Sequence, residues 1–173
     1  MGVTGLIIAI GGNEDKGIRR RKLHVSETEL NFTTSGILCR ILAELKSDES
    51  PVEVITSASG YPEIAGRNYT RAFKKLGHRA MNVLHIHDKN DADRPEIIER
   101  ITRAECIMFS GGDKFKLTCA LMDSELARII KHRYLDEGLV VAGTSAGAMA
   151  LPDLMIYPGS KPINVRDKKT PLY

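Results

Sequence analysis

The sequence has little of what marks nucleic-acid-binding, membrane or metal-binding proteins. The net charge is only +3, and the basic run at residues 19–22 has no interleaved aromatic residue, so we interpret it as a solvated loop or helix start. No apolar run reaches transmembrane length, and residues 5–10, "GLIIAI", are too short for a secretory signal. Tryptophan is absent, and the three cysteines, Cys39, Cys106 and Cys119, lack the spacing of a metal site. These absences favour a cytoplasmic protein that binds neither nucleic acid nor a membrane.

What the chain does have is a regular alternation of short apolar runs and longer amphipathic segments. The runs are apolar on both faces, which is typical of strands covered on both sides, and they occupy residues 5–10, 52–58, 81–87, 105–110 and 138–143. Residues 35–46 and 125–135 have the periodicity of amphipathic helices. Cys106 and Cys119 fall in apolar stretches, so we expect both in the core. The alternation predicts a three-layer α/β fold with a mostly parallel sheet, and residues 1–173 suffice for one such domain.

Glycine follows three of the five apolar runs, at the ends where parallel sheets bind ligands. A glycine there lets a backbone N–H approach a bound group with no β-carbon in the way. The first exit, "GGNEDKG" (residues 11–17), has neither a Walker pattern nor a full dinucleotide fingerprint, which argues against nucleotide binding. The second, "SGGDKFKL" (residues 110–117), is compatible with a plain turn and equally with part of an oxyanion hole.

The third exit, "VVAGTSAGA", has the form of a nucleophile elbow. In such an elbow the serine lies on a strained turn between a strand and a helix, flanked by glycines that remove clashes. Here the serine is Ser145 and the glycines are Gly143 and Gly147. The N–H of Ala146 would then point to where a tetrahedral oxyanion develops. The alternative is a glycine-rich turn whose serine only caps the next helix.

Four segments in this order and spacing resemble the cyanophycinases, serine peptidases related to peptidase E. They are "GGNEDKG", "ITSASGYPE…Y…AFKKLG" (in which the isolated tyrosine is Tyr69), "FSGGDKFKL" and "GTSAGAMALPDLMIYPG", and the resemblance covers residues 5–160. It implies a class I glutamine amidotransferase-like (flavodoxin-like) fold and a cytoplasmic exopeptidase that needs no metal or cofactor and forms a homodimer. The implied substrate is cyanophycin, a polyaspartate with arginine on its β-carboxyls, and the implied product is the β-aspartyl-arginine dipeptide.

The resemblance also implies roles for individual residues. Ser145 matches the nucleophile, and the backbone N–H groups of Gly112 and Ala146 match the oxyanion hole. We expect the substrate to lie against four further residues: Gly111, Asp113, Lys114 and Thr144. The family usually has glutamine at position 114, and lysine there would attract a carboxylate but repel an arginine side chain. A different aspartyl peptide is therefore an alternative substrate.

The general base is the part of a serine-peptidase site that the sequence does not identify. All five histidines precede Ser145, whereas the family has its histidine downstream of the serine. His87 lies close to a predicted strand end, although a histidine on a buried strand is more often a hydrogen-bonded core residue. We therefore expect a chain that continues beyond residue 173 and carries its histidine there. A binding module that has lost its base is the second hypothesis, and the strained elbow favours the enzyme.

Overall fold

The computed structural model describes residues 2–12, 14–17 and 31–152. The described elements are, in chain order, β1 (Leu6–Ile10), α1 (Ile37–Leu42), β2 (Val52–Ile55), α2 (Pro62–Lys75), β3 (Met81–Leu84), α3 (Lys89–Ala92), α4 (Pro95–Arg103), β4 (Cys106–Phe109), α5 (Lys114–Leu121), α6 (Glu125–Asp136), β5 (Val140–Thr144) and α7 (Ala146–Met149). The five strands form one sheet in the order β1-β5-β4-β2-β3, and every neighbouring pair is parallel.

Helices cover both faces of this sheet. Alternate residues of the three central strands point to opposite sides, as the pleat of a strand requires. One side packs with α1 and α2 through Val52, Val54, Cys106, Met108, Val140 and Ala142. The other packs with α4, α5 and α6 through Ile55, Ile107, Phe109 and Val141. The predicted three-layer α/β fold with a parallel sheet is therefore confirmed.

The strands differ from the prediction at the edges of the described sheet. β2, β4 and β5 are buried along their whole length. β1 is largely exposed instead, at Leu6 and Ile7 among others, because it has a strand neighbour on one side only among the described residues. The third run was predicted as a strand to residue 87, but β3 ends at Leu84, so His85 and His87 lie in the segment that follows it.

The helix α2 shows how local sequence sets an element that forms one wall of the site. Pro62 occupies its first turn and Glu63 follows it, while lysines end the helix, as the helix dipole favours. Tyr69 and Phe73, four residues apart, lie on its buried face. This face packs on the sheet and brings Tyr69 into contact with Glu14 in the segment after β1.

The strand order creates a crevice above the carboxyl ends of the strands. Counting from β2, the strands follow the flavodoxin-like order 2-1-3-4, with β1 added beside β5. The chain leaves β2 towards one edge of the sheet and leaves β4 towards the other. At such a switch point the loops diverge and leave room for a ligand. The loops after β2 and β4 meet there.

The cysteines divide between the core and the surface. Cys106 lies fully buried in β4, as predicted, but Cys119 is exposed on α5, so its expected place in the core is wrong. The apolar stretch around Cys119 is a helix with one buried face, and its core contacts come from Leu117, Ala120 and Leu121. No helix in the described ranges is long and apolar enough to cross a membrane. The basic run at residues 19–22 and His24 lie outside the described residues.

Candidate active site

Ser145 lies on a strained turn between β5 and α7. Its φ of 50° and ψ of −111° are unusual for a residue with a β-carbon. The Ser145 N–H donates to the Ile10 carbonyl oxygen at 2.8 Å, which ties the turn to the end of β1. The residue itself is exposed, although its neighbours Thr144 and Ala146 are buried. The turn therefore presents the hydroxyl-bearing residue above the edge of the sheet, as a nucleophile elbow does.

The two glycines of the elbow are required by close packing. A β-carbon on Gly143 would lie 2.5 Å from the carbonyl carbon of Gly147, and one on Gly147 would lie 2.4 Å from the carbonyl oxygen of Phe109. Both distances are far below ordinary contact with backbone atoms. The start of α7 can therefore approach β4 and β5 only when both positions are glycine.

Two backbone N–H groups flank this turn. Ala146 is the first residue of α7, so its N–H has no acceptor within the helix. Gly112 follows β4 with a φ of 146°, and a β-carbon there would lie 1.9 Å from the Ala58 carbonyl oxygen. The hydrogen bonds found among the described residues include none donated by the N–H of Gly112 or of Ala146. Both are thus available as donors.

A pocket of about 300 Å³ opens beside Ser145. The residues that line it come from the ends of β1, β4 and β5 and from α2: Gly12, Lys16, Ala65, Asn68, Tyr69, Ser110, Gly111, Gly112, Thr144 and Ser145. The structure thus brings together four of the predicted site residues, namely Gly111, Gly112, Thr144 and Ser145. The hydroxyl of Thr144 donates to the Gly12 carbonyl oxygen at 2.5 Å, which joins the first and third glycine exits.

Two of the predicted substrate-binding residues lie beside this pocket rather than in its lining. Asp113 is the N-cap of α5, and its Oδ1 accepts from the Phe115 N–H at 2.8 Å. Its own N–H donates to the Ala58 carbonyl oxygen at 2.7 Å. Lys114 is the first residue of α5 and is half-buried. Their contact with a substrate stays a prediction.

A buried charged cluster that sequence reasoning missed forms one side of the pocket. The Glu14 side chain is fully buried, and its Oε1 accepts from the Tyr69 hydroxyl and pairs with Lys16 Nζ at 2.6 Å. The Lys16 ammonium also lies 4.6 Å from the centroid of the Tyr69 ring. Burial, then the adjacent Glu14 carboxylate, raises the pKa of Tyr69, so its hydroxyl stays protonated and acts as a donor. Glu14 and Lys16 belong to the first glycine exit, and Tyr69 is the isolated tyrosine of the second resemblance segment, so the resemblance marked all three positions. What sequence reasoning missed is that they come together beside the pocket.

The four histidines that the structure describes make contacts outside the pocket. His85 Nδ1 lies 2.6 Å from Thr56 Oγ1 beyond the end of β2. His87 is exposed, and its backbone N–H donates to Asp91. His132 pairs with Asp136 on the surface of α6. His78 is buried against Phe73. No histidine is among the described residues that line the pocket.

The described residues also assemble no group of three or more side chains that could hold a metal ion.

Comparison with known proteins finds similar sequences and structures among peptidases. A sequence model of peptidase family S51 matches residues 33–168. The cyanophycinase of Synechococcus elongatus is 34% identical over 158 residues, covering 91% of this chain and 44% of that protein. The cyanophycinase of Trichormus variabilis is 28% identical over 153 residues, covering 88% of this chain and 46% of that protein. The chain thus spans about half the length of the curated relatives it matches. The crystal structure of a peptidase from an acI-B1 actinobacterium is similar with a TM-score of 0.58 and 27% identity, over 68% of this chain and 50% of the other.

Proposed function

Because the chain belongs to peptidase family S51, we propose that it acts as a serine-type exopeptidase with Ser145 as its nucleophile. The substrate we propose is cyanophycin, since the similar proteins from cyanobacteria are cyanophycinases. The single observation that carries the proposal is the strained backbone of Ser145 at the mouth of a pocket, between two N–H donors. A turn that only capped a helix would not need this strain, and the Ser145 side chain makes no capping hydrogen bond.

The geometry supports the following sequence of steps. The Ser145 hydroxyl oxygen attacks the scissile carbonyl carbon and gives up its proton to a base. The carbonyl oxygen becomes an oxyanion and accepts from the N–H groups of Gly112 and Ala146. When the carbon–nitrogen bond breaks, the base returns the proton to the leaving amine, and an acyl-enzyme remains. Water then attacks the ester carbonyl carbon while the base accepts its proton; the base gives this proton to Ser145 Oγ as the ester bond breaks, which releases the carboxylic acid product and regenerates the hydroxyl.

The base itself is proposed to come from outside the described residues. A serine hydroxyl is a weak nucleophile unless a base accepts its proton. The described histidines are engaged elsewhere: His85 with Thr56, and His132 with Asp136. The implied homodimer stays a prediction. So does the alternative of another aspartyl peptide as substrate, which Lys114 in place of the family's glutamine favours.

The test is to replace Ser145 by alanine and to measure hydrolysis of a peptide of two β-aspartyl-arginine units. We expect turnover to vanish while the affinity for the peptide changes less than about threefold, because the oxyanion-hole donors and pocket walls remain. Ser110→Ala is the matched control, since it removes a different hydroxyl from the same pocket. Hydrolysis that continues unchanged in Ser145→Ala would exclude Ser145 as the nucleophile.

A binding module is the second candidate, favoured by the absence of histidine from the described pocket lining. The same experiment separates the two functions. The full-length protein is used, because the proposed base lies outside the described residues; if it binds the peptide but shows no more hydrolysis than its Ser145→Ala variant, it is a binding protein.

A further inference from the structure

Lys16 is the only charged residue among the described residues that line the pocket. It comes from the segment after β1 and lines the same pocket as Ser145. Its side chain is only 15% exposed. The Glu14–Lys16 pair is neutral overall, but Lys16 lines the pocket and Glu14 does not, so the pair offers its positive end to a ligand there.

The surroundings of Lys16 fix its ammonium group in one place. Glu14 Oε1 accepts from it at 2.6 Å, and the Tyr69 ring lies beneath it at 4.6 Å. Glu14 is held in turn by the Tyr69 hydroxyl and by complete burial of its side chain. A lysine restrained in this way has already lost much of the freedom that binding would otherwise remove. The cluster of Glu14, Lys16 and Tyr69 is therefore a preorganised support for one cation.

The ammonium group retains donors for a ligand. Lysine has three N–H donors, and the contacts of Lys16 within the described residues are Glu14 and Tyr69. Only the contact with Glu14 is a hydrogen bond, so two of the three N–H donors have no hydrogen-bond partner among the described residues, and the residue that carries them lines the pocket. A carboxylate is the ligand class that pairs with them, whereas a guanidinium is repelled.

We propose that Lys16 binds a carboxylate of the substrate and so positions its terminal residue against Ser145. This inference rests on the proposed peptidase function and adds a specificity-determining residue to it. Cyanophycin offers two kinds of carboxylate, the α-carboxylate of its last aspartyl residue and the carboxylate of each arginine. An exopeptidase must distinguish a chain end from the interior, and a cation at a fixed distance from the nucleophile does this for the terminal carboxylate.

The experiment measures binding in a Ser145→Ala background, where hydrolysis does not interfere. The probes are three peptides of two β-aspartyl-arginine units: one unmodified, one with the terminal aspartyl carboxylate amidated, and one with both arginine carboxylates amidated. Calorimetry gives the dissociation constant of each. We expect one of the two amidations to weaken binding about 10- to 100-fold, the range for a lost charge-assisted hydrogen bond. The amidated peptide whose dissociation constant rises identifies which carboxylate Lys16 binds.

The same peptides are then bound to Lys16→Met in that background. We expect this variant to bind the unmodified and amidated peptides within about twofold of one another, while Lys16→Arg keeps a preference for the free carboxylate. Lys74→Met, a change of an exposed lysine on α2, is the matched control and should keep the full preference. A role for Lys16 in folding alone would not alter the ratio between two peptides.

Three results would overturn the proposal. In the first, Lys16→Met keeps the preference of the parent. In the second, Lys16→Met lowers the affinity for all three peptides equally, which would mean that Lys16 only shapes the pocket. In the third, the parent binds none of the peptides or does not distinguish among them. Hydrolysis by the chain with Ser145 intact is measured separately, so failure of the Lys16 proposal is distinguishable from failure of the peptidase proposal.

Discussion

Gly112 and Ala58 approach each other so closely that position 112 has no room for a side chain. A β-carbon on Gly112 would lie 1.9 Å from the Ala58 carbonyl oxygen, and the φ of 146° is one that residues with side chains rarely adopt. The same oxygen accepts from the Asp113 N–H at 2.7 Å. This contact joins the loops after β2 and β4 at the pocket that Gly112 and Ser145 both line.

Gly112→Ala should therefore destabilise the fold. We expect a loss of about 2–3 kcal/mol or more in the free energy of unfolding, since overpacking and a strained φ act together. Gly111→Ala is the matched control, because a β-carbon there meets Ser145 and Thr144 atoms at 3.4 Å, an ordinary contact. It should stay within about 1 kcal/mol of the parent. Urea unfolding of both variants checks this, and equal destabilisation by the two changes would contradict it.

The layered fold was predictable because periodicity is a local property of the sequence. β2, β4 and β5 are apolar on both faces, and the structure buries them on both faces. The elbow was predictable for the same reason, since Gly143, Ser145 and Gly147 are adjacent in the chain. Exposure of β1 was not predictable, because it depends on which strands pair and not on the composition of the run.

The other wall of the pocket could not be predicted, because its residues are distant in sequence. Tyr69 contacts Glu14 only after α2 packs on the sheet, 55 positions along the chain. No local pattern marks such a contact. Cys119 was placed wrongly for a local reason. Its apolar stretch indicates a helix with a buried face, but the stretch does not show which of its residues lie on that face.

His78 should make the stability of the protein depend on pH. It is 3% exposed, and its Nε2 has no hydrogen-bond partner among the described residues. Burial lowers the pKa of His78 below its ordinary 6.5, and this outweighs the opposing effects of the Ser50 backbone and of the Asp48 and Glu49 carboxylates. His78 in the unfolded chain binds a proton more readily than His78 in the folded protein. Its contribution to the free energy of unfolding is therefore complete above a pH of about 6.5, and it declines as the pH falls towards the lower pKa of the folded state.

The check is the free energy of urea unfolding at pH 7.5 and 5.5. We expect a decline at pH 5.5 of up to about 1.4 kcal/mol from this one group. His78→Gln removes the titrating group, so the difference between the two pH values should shrink in that variant. His132→Gln, a change of an exposed histidine, is the control. An unchanged difference in His78→Gln would show that other groups carry the pH dependence.

The cysteines should differ sharply in their reaction with thiol reagents. Complete burial raises the pKa of the Cys106 thiol to about 12, so it is neither ionised nor accessible near pH 8. Cys119 is exposed. We expect an aromatic disulfide reagent to modify Cys119 quickly in the native protein, and Cys106 only after unfolding. Cys119→Ser should remove the fast phase and leave the slower reaction of the half-buried Cys39; a fast phase that mass spectrometry maps to Cys106 would contradict the buried position of β4.

Lys114 should shift the choice between substrates through its charge. It begins α5 directly after the loop that carries Gly111 and Gly112, so a cation there is unfavourable for a bound arginine side chain. Lys114→Gln should raise kcat/KM for a β-aspartyl-arginine peptide relative to an aspartyl peptide without arginine, by about threefold to tenfold for a partly screened charge. Lys116→Gln removes an equal charge from an exposed position two residues further along the same helix. If both variants change the ratio equally, net charge is responsible; if neither does, position 114 does not select the substrate.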